Sequence, residues 1–296
     1  MRNLNTLLSV VVVFAIFALM GCSSDNQVTE PETPDELDLP SVSTMTMDVD
    51  FFKSAQMDSQ AVMLGKFEES SIAASPTALK LNYFNAAVRV FFLNVVAYSA
   101  LAEPVAAFTT AIHSVPQYQE DGSWLWTYVY IDNHGSEYSI FLNGKRMDTY
   151  VAWNMEVSCN DPNLLLDHFL WFDGQVAIGG HSGYWQFYEP DTSSESGESE
   201  AETPGVQCIR IDWDNNGLHD RQSTFLINKL EDTAYGSTLT FDEAPDVASI
   251  EFFDAANETT GTIIWYADGT GSIEWPDYKD GVRSCWDVWQ FDVDCE

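Results

Sequence analysis

From Gly122 onward apolar and polar side chains alternate with a period of two. The pattern runs through SWLWTYVYI, EYSIFL, TYVAWNMEVS, DHFLWFDGQVAI, GYWQFYEP, VQCIRIDW, RQSTFLINKL, STLTFDE, ASIEFFDA, TIIWYADG and RSCWDVWQFDV. Such alternation describes strands with one face buried, and the Gly/Asn/Asp clusters between them, such as DNHGS, GGHSG, DNNG, ANETTG and ADGTG, describe turns. Asn143-Gly144 in NGKR is the strongest short hairpin signal of the series. About ten or eleven strands in sequence predict an antiparallel meander, and a sheet of that width closes into a barrel or curls around something.

The stretch before it has another period. Residues 77–102, TALKLNYFNAAVRVFFLNVVAYSALA, hold helix formers without Pro or Gly. Asn82, Asn85 and Arg89 form a polar stripe at i, i+3 and i+7, and the second half is apolar all round, as in a helix buried in a core or a membrane. Arg89 and both asparagines fall inside or beside any 18-residue window of spanning length, and a mid-bilayer arginine is costly. A core helix is therefore favoured. Glu103-Pro104 breaks the run, and PVAAFTTAIHSV predicts a second, shorter helix, with His113 packed or at the solvent edge. The expected fold is α+β: an N-terminal helical hairpin at about 77–115, packed on a large curled antiparallel sheet (meander, half-barrel or barrel) over about 122–295. Residues 51–296 are expected to form a single domain.

The chain opens with Met1-Arg2-Asn3, then LLSVVVVFAIFALM, then Gly21-Cys22. A positive start, a short apolar core and a small residue before the cut predict a secretory signal at 1–21. Leu19-Met20-Gly21-Cys22 resembles the lipobox of bacterial lipoproteins. That resemblance implies a diacylglycerol on the Cys22 thiol, cleavage before it, and an acylated amino terminus carrying a chain such as palmitate. Two or more acyl chains hold a protein firmly at a membrane without a spanning helix. Ser23 and Ser24 follow, where the enteric retention rule would require Asp, so the resemblance implies an outer-membrane lipoprotein of the cell envelope. Residues 22–50 are acidic and proline-containing, and predict a disordered tether with a reach on the order of 30 Å. DTSSESGESEAETP at 191–204 predicts a mobile acidic loop.

Charge and cysteine content narrow the partners. Forty-six acidic residues against 12 basic ones leave a net charge of −34, and that field repels nucleic acid and anionic lipid headgroups. Beyond Cys22 the cysteines are Cys159, Cys208, Cys285 and Cys295. An even number in an exported chain suggests two disulfides with three connectivities; the favoured set is Cys285–Cys295 with Cys159–Cys208.

Motifs for chemistry are sparse. Gly180-His181-Ser182-Gly183-Tyr184 lacks the last glycine of an esterase elbow and precedes a strand instead of a helix. DWDNNGLHD resembles the start of an EF-type calcium loop, making Asp212, Asp214 and Asn216 candidate ligands with Gly217 at the tight position. Ser223 stands where the bidentate glutamate belongs, so a hairpin turn explains the same letters. Acid pairs such as Glu156 and Asp167 carry no weight among so many carboxylates. No histidine grouping marks a metal or a nucleophile, although Asp167-His168 and His181 could approach one another. No catalytic residue is assigned, no cofactor beyond calcium is implied, and the protein is expected not to be an enzyme.

Ten tryptophans remain to be explained. Inward ones fill a core; outward ones suit sugars or, in a concavity, acyl chains. Helices first and a curled sheet after, at the outer membrane, resemble the lipoprotein-carrier fold, and equally envelope lipoproteins of no assigned role. The carrier resemblance implies a lipid cavity between sheet and helices. Two alternative binding roles are thus expected: a module for an apolar ligand such as lipid between sheet and helices, or a module for glycan or protein on a surface aromatic patch. A hydrolase would require a convergent acid–base cluster. Cys22→Ser should abolish incorporation of labelled palmitate and move the protein from the detergent phase to the aqueous phase in detergent phase partition.

Overall fold

The computed structural model describes residues 35–47, 49, 79–99, 101–132, 134–161, 164–190, 205–215, 221–228 and 234–295. The signal segment, Cys22 and the 191–204 stretch lie outside them. Glu36–Glu296 is one compact unit. It begins earlier than the expected boundary at 51, because Leu37, Met45, Met47 and Val49 are buried in the core.

Among the described residues two α-helices, α1 (Leu81–Ser99) and α2 (Ala102–Thr110), precede fourteen strands. These are β1 (Gln117–Tyr118), β2 (Ser123–Ile131), β3 (Glu137–Arg146), β4 (Tyr150–Asp161), β5 (Leu164–Ala177), β6 (Ser182–Glu189) and β7 (Val206–Asp214). They continue as β8 (Arg221–Ile227), β9 (Thr238–Ala244), β10 (Val247–Asp254), β11 (Thr259–Tyr266), β12 (Gly271–Glu274), β13 (Ser284–Trp286) and β14 (Asp292–Val293). Each strand pairs antiparallel with the next, in one open sheet in chain order. Both edge strands have only two residues, which leaves little unpaired backbone for edge-to-edge association.

The expected α+β class with a helical hairpin is overturned. The fold is mostly antiparallel sheet, and the two short helices do not form a hairpin. Leu101, between them, keeps near-helical dihedrals (φ −97°, ψ −21°) and does not reverse the chain. Each helix spends its apolar side on the sheet. α1 lies against β12, β13 and β14. In α2, Phe108 meets the Phe172 and Trp185 rings, while Tyr128 donates its hydroxyl proton to the Ala107 carbonyl. Nor does the sheet close into a barrel, since β1 and β14 remain its two edges. Among the described residues no helix is long and apolar enough to cross a membrane.

The alternation read from the sequence sets the two faces. Ile140 and Leu142 on β3, Met155 and Val157 on β4, Ile211 on β7, Phe225 on β8, Phe241 on β9, Ile250 on β10 and Ile263 on β11 are all buried on one face. They belong to one continuous cluster with α1 and α2. Laid flat, fourteen strands would span roughly 60 Å, far wider than two short helices cover. The inner face is therefore buried by curling.

Tryptophan against glycine lets it curl tightly. Gly144, Gly174, Gly183 and Gly271 stand opposite Trp153, Trp185, Trp213 and Trp286 on the neighbouring strand. A Cβ at any of these glycines, or at Gly261 beneath Trp275, would lie within 3.0 Å of the indole. The ring thus lies flat on the adjacent backbone. This displaces one expectation: Asn143-Gly144 is strand and not turn, because Gly144 makes room for Trp153, and the reversal comes at 147–149.

Helix α1 is latched to the far end of the sheet by the polar stripe. Asn82, 2% exposed, donates through Nδ2 to the Cys285 carbonyl at 2.6 Å and accepts at Oδ1 from Tyr278 Oη (2.8 Å) and Lys279 Nζ (2.7 Å). Its backbone N–H donates to Asp292 Oδ1 at 2.9 Å, so a carboxylate from β14 caps the helix start. Nearby, Cys285–Cys295 is bonded as expected and ties the C-terminal edge down. The expected Cys159–Cys208 bridge is not made. Cys159 lies on β4 and Cys208 on β7, three strands apart or about 14 Å along the sheet, beyond the reach of a disulfide. The Cys208 thiol instead donates to the Phe187 carbonyl at 3.4 Å.

Asn82→Ala removes both the donor and the acceptor of this latch. The expected cost is about 2–4 kcal/mol, measured as a lower urea midpoint at unchanged m, with Asn82→Asp, which keeps the acceptor, falling between.

Candidate functional site

Eight of the ten tryptophans are buried, namely Trp124, Trp126, Trp153, Trp171, Trp185, Trp213, Trp265 and Trp286. Aromatic content therefore serves mainly the core. Of the other two, Trp289 is 68% exposed on the loop before β14, and Trp275 is half-buried just after β12.

Trp275 floors a pocket of about 370 Å³ at the end of the sheet where β10 turns into β11. Its ring lies over Gly261 of β11, and Phe252 of β10 lies parallel to it, with an interplanar angle of 2° and centroids 6.1 Å apart. The register explains the pairing, since Phe252 stands directly opposite Gly261. Asp254, Asn257, Thr259, Pro276 and Asp277 form the rim. Asp254 accepts from the backbone N–H groups of Ala256 and Asn257 and from Asn257 Nδ2 at 2.8 Å. The Asn257 side chain, followed by these backbone donors, holds the Asp254 carboxyl below the usual carboxylate range.

On the helix side Arg89 backs two of the pocket residues, Trp275 and Asp277. Its guanidinium lies 5.4 Å from the Trp275 ring centre and 5.8 Å from that of Tyr278. It pairs with Asp277 at 2.5 Å and donates to Asn85 Oδ1 at 3.0 Å. A planar cation between two aromatic faces and a carboxylate is strongly preorganised. The pocket thus combines parallel apolar rings with ionised and amide rim groups, which suits a ligand with one flat apolar face and hydroxyl edges.

A second concavity, about 550 Å³, is lined by residues 36–42, the turn at Ala111–Ser114 and Trp126. Trp126 is only 1% exposed.

Other expected sites fare differently. Asp212 holds Arg210 with both oxygens, at 2.6 and 2.7 Å, so its carboxylate is engaged by the guanidinium. Asp214 lies two residues on along β7, while Asn216 lies outside the described residues. Among the described residues no three His, Cys, Asp or Glu side chains are grouped to hold a metal ion. Glu156 and His168 do meet, at 3.0 Å, on a β5 bulge where His168 has φ 49° and stacks on Phe141. His181 lies beyond the far end of β5, about 30 Å of strand away. Sequence reasoning missed Phe252, Asp254 and Asn257 as partners of Trp275. The available signal was a glycine inside an aromatic strand, Gly261, facing a tryptophan two strands from Phe252.

On the outer face Asp173 of β5 accepts from Tyr188 Oη at 3.0 Å and Gln186 Nε2 at 3.3 Å, and Arg210 stacks on Tyr184 at 4.2 Å. Burial pushes the Asp173 carboxyl up. It also pushes Tyr188, aided by Asp173, up to about 12. These groups satisfy one another on the outer face of the sheet.

No model of a known protein family matches this chain, and no curated protein sequence matches it.

Burial likewise raises the Tyr138 phenol to about 12, with Asp132 adding to the shift. Both phenols hold their protons more tightly folded than unfolded. Their contribution is complete below about pH 10, the unfolded tyrosine value, and is lost as pH rises further. Alkaline titration should therefore show unfolding by circular dichroism setting in above about pH 10, with phenolate absorbance at longer wavelength rising in step. Tyr188→Phe should make that transition shallower.

Proposed function

We propose that this protein is a non-enzymatic, lipid-anchored envelope protein whose folded unit binds glycan in the Phe252–Trp275 pocket. The anchor rests on Leu19-Met20-Gly21-Cys22, and the outer membrane on the serines that follow. The observation that carries the binding reading is the parallel pair of rings at the floor of a rimmed concavity. Pyranose rings present flat C–H faces to aromatics and hydroxyls to carboxylates and amides, and Phe252, Trp275, Asp254 and Asn257 offer both.

The packing of the interior supports a surface ligand over an apolar one held inside. Phe108, Phe172, Trp185 and Phe187 lie ring against ring where α2 meets the sheet, and all are fully buried. No enzymatic step is assigned to the outer-face polar network or to the Glu156–His168 pair.

A glycan microarray followed by calorimetry on the folded unit tests the proposal. At least one oligosaccharide class should bind. Asn257→Ala and Thr259→Val, both at the pocket rim, should weaken that binding by about tenfold or more, equivalent to about 1.4 kcal/mol, without altering the urea midpoint. Trp275→Ala should abolish it. Binding that survives all three variants would place the ligand elsewhere.

A further inference from the structure

The charges around the pocket define which glycans it can accept. Asp254 is held ionised by its own turn, and Asp277 is paired with Arg89. β10 and β11 carry no lysine or arginine. Among the described residues every cation on the neighbouring elements is already engaged. Arg89 is bound by Asp277 and Asn85, Lys279 by Asn82, Lys80 by Gln290 and the Phe291 ring, and Arg283 by Ser272. A ligand carboxylate or sulfate would meet two fixed carboxylates and would have to displace Asp277 to reach a cation. The chain's net charge of −34 adds a repulsive field.

We infer that the Phe252–Trp275 pocket selects neutral saccharides and rejects uronate-bearing and sulfated ones, with Asp277 acting as the specificity-determining residue by occupying Arg89. Hydroxyl groups of a neutral sugar donate to the remaining acceptor positions of Asp254 and Asp277. Arg89 stays on the indole, paired with Asp277, instead of acting as an anion receptor. This inference rests on the glycan reading of the pocket.

The test measures binding of neutral oligosaccharides (cello-, xylo-, manno- and chito-oligomers) and acidic ones (oligogalacturonate, carrageenan oligomers) by calorimetry in low and high salt. The parent protein should bind a neutral class with an affinity that changes less than twofold with salt. Acidic oligomers should bind at least a hundredfold more weakly or not at all. Asp277→Asn should release Arg89 and raise oligogalacturonate binding at least tenfold at low salt, a gain lost again in Asp277→Asn with Arg89→Gln. Because the expected signal is a gain of binding, a misfolded variant cannot imitate it. Acidic oligomers that bind the parent and are lost in Asn257→Ala would overturn the charge selection while leaving the glycan site standing. No binding by any oligomer would overturn both.

Discussion

A long meander has one apolar face to hide, and here the hiding depends on a single buried amide. Asn82 bonds at once to the Cys285 carbonyl, the Tyr278 hydroxyl and the Lys279 ammonium, and Asp292 caps the same turn of helix. These bonds attach the first helix to the last strands, across more than 190 residues of chain. With α1 seated there and α2 seated against β5 and β6 through Phe108, the inner face is covered at both places. The strands between must bend to keep that face dry. A long-range contact of this kind is entropically costly to close, so the burial it completes must be extensive.

The Gly–Trp pairs follow from the same need. A curled sheet crowds its concave side, and a large ring over an absent side chain packs that side densely while burying much apolar area. The device recurs along the sheet, at Gly144–Trp153, Gly174–Trp185, Gly183–Trp213 and Gly271–Trp286. Trp275 over Gly261 repeats it at the margin, where no further strand covers the ring and it remains half-buried beside Phe252. The pocket is thus core packing continued to where the core ends. Its chemistry is set by what borders it: the turn after β10 and the connection after β12, whose Asp277 is held by Arg89 of the helix that Asn82 positions.

That dependence links stability to recognition. Arg89 lies two turns along α1 from Asn82, and it reaches Trp275 only when the helix start is latched. Asp277 sits in the same connection as Tyr278 and Lys279, two of the partners of Asn82. The polar stripe Asn82, Asn85 and Arg89 therefore serves first as an attachment seam and, at its end, as the holder of the pocket residues Asp277 and Trp275.

Alternation of apolar and polar residues was enough to determine that the chain is an antiparallel meander and which side chains face inward, because the period of two is a property of extended backbone alone. The ten-residue spacing of Cys285 and Cys295 likewise suited a local bridge across a short hairpin. Strands of two to four residues escaped notice, since so few positions carry no period. What only tertiary structure decided involves residues brought together by strand pairing. Asn143-Gly144 reads as a turn locally, yet it lies within a strand because Trp153 on the next strand occupies the space above Gly144. The helical hairpin failed because each helix found a better apolar partner in the sheet than in the other helix. Cys159 and Cys208 stayed apart because chain order places two strands between theirs. Phe252 and Gly261 lie on successive strands and Trp275 just beyond the next, so their meeting depends on register across two hairpins, and register follows from how the whole inner face is buried.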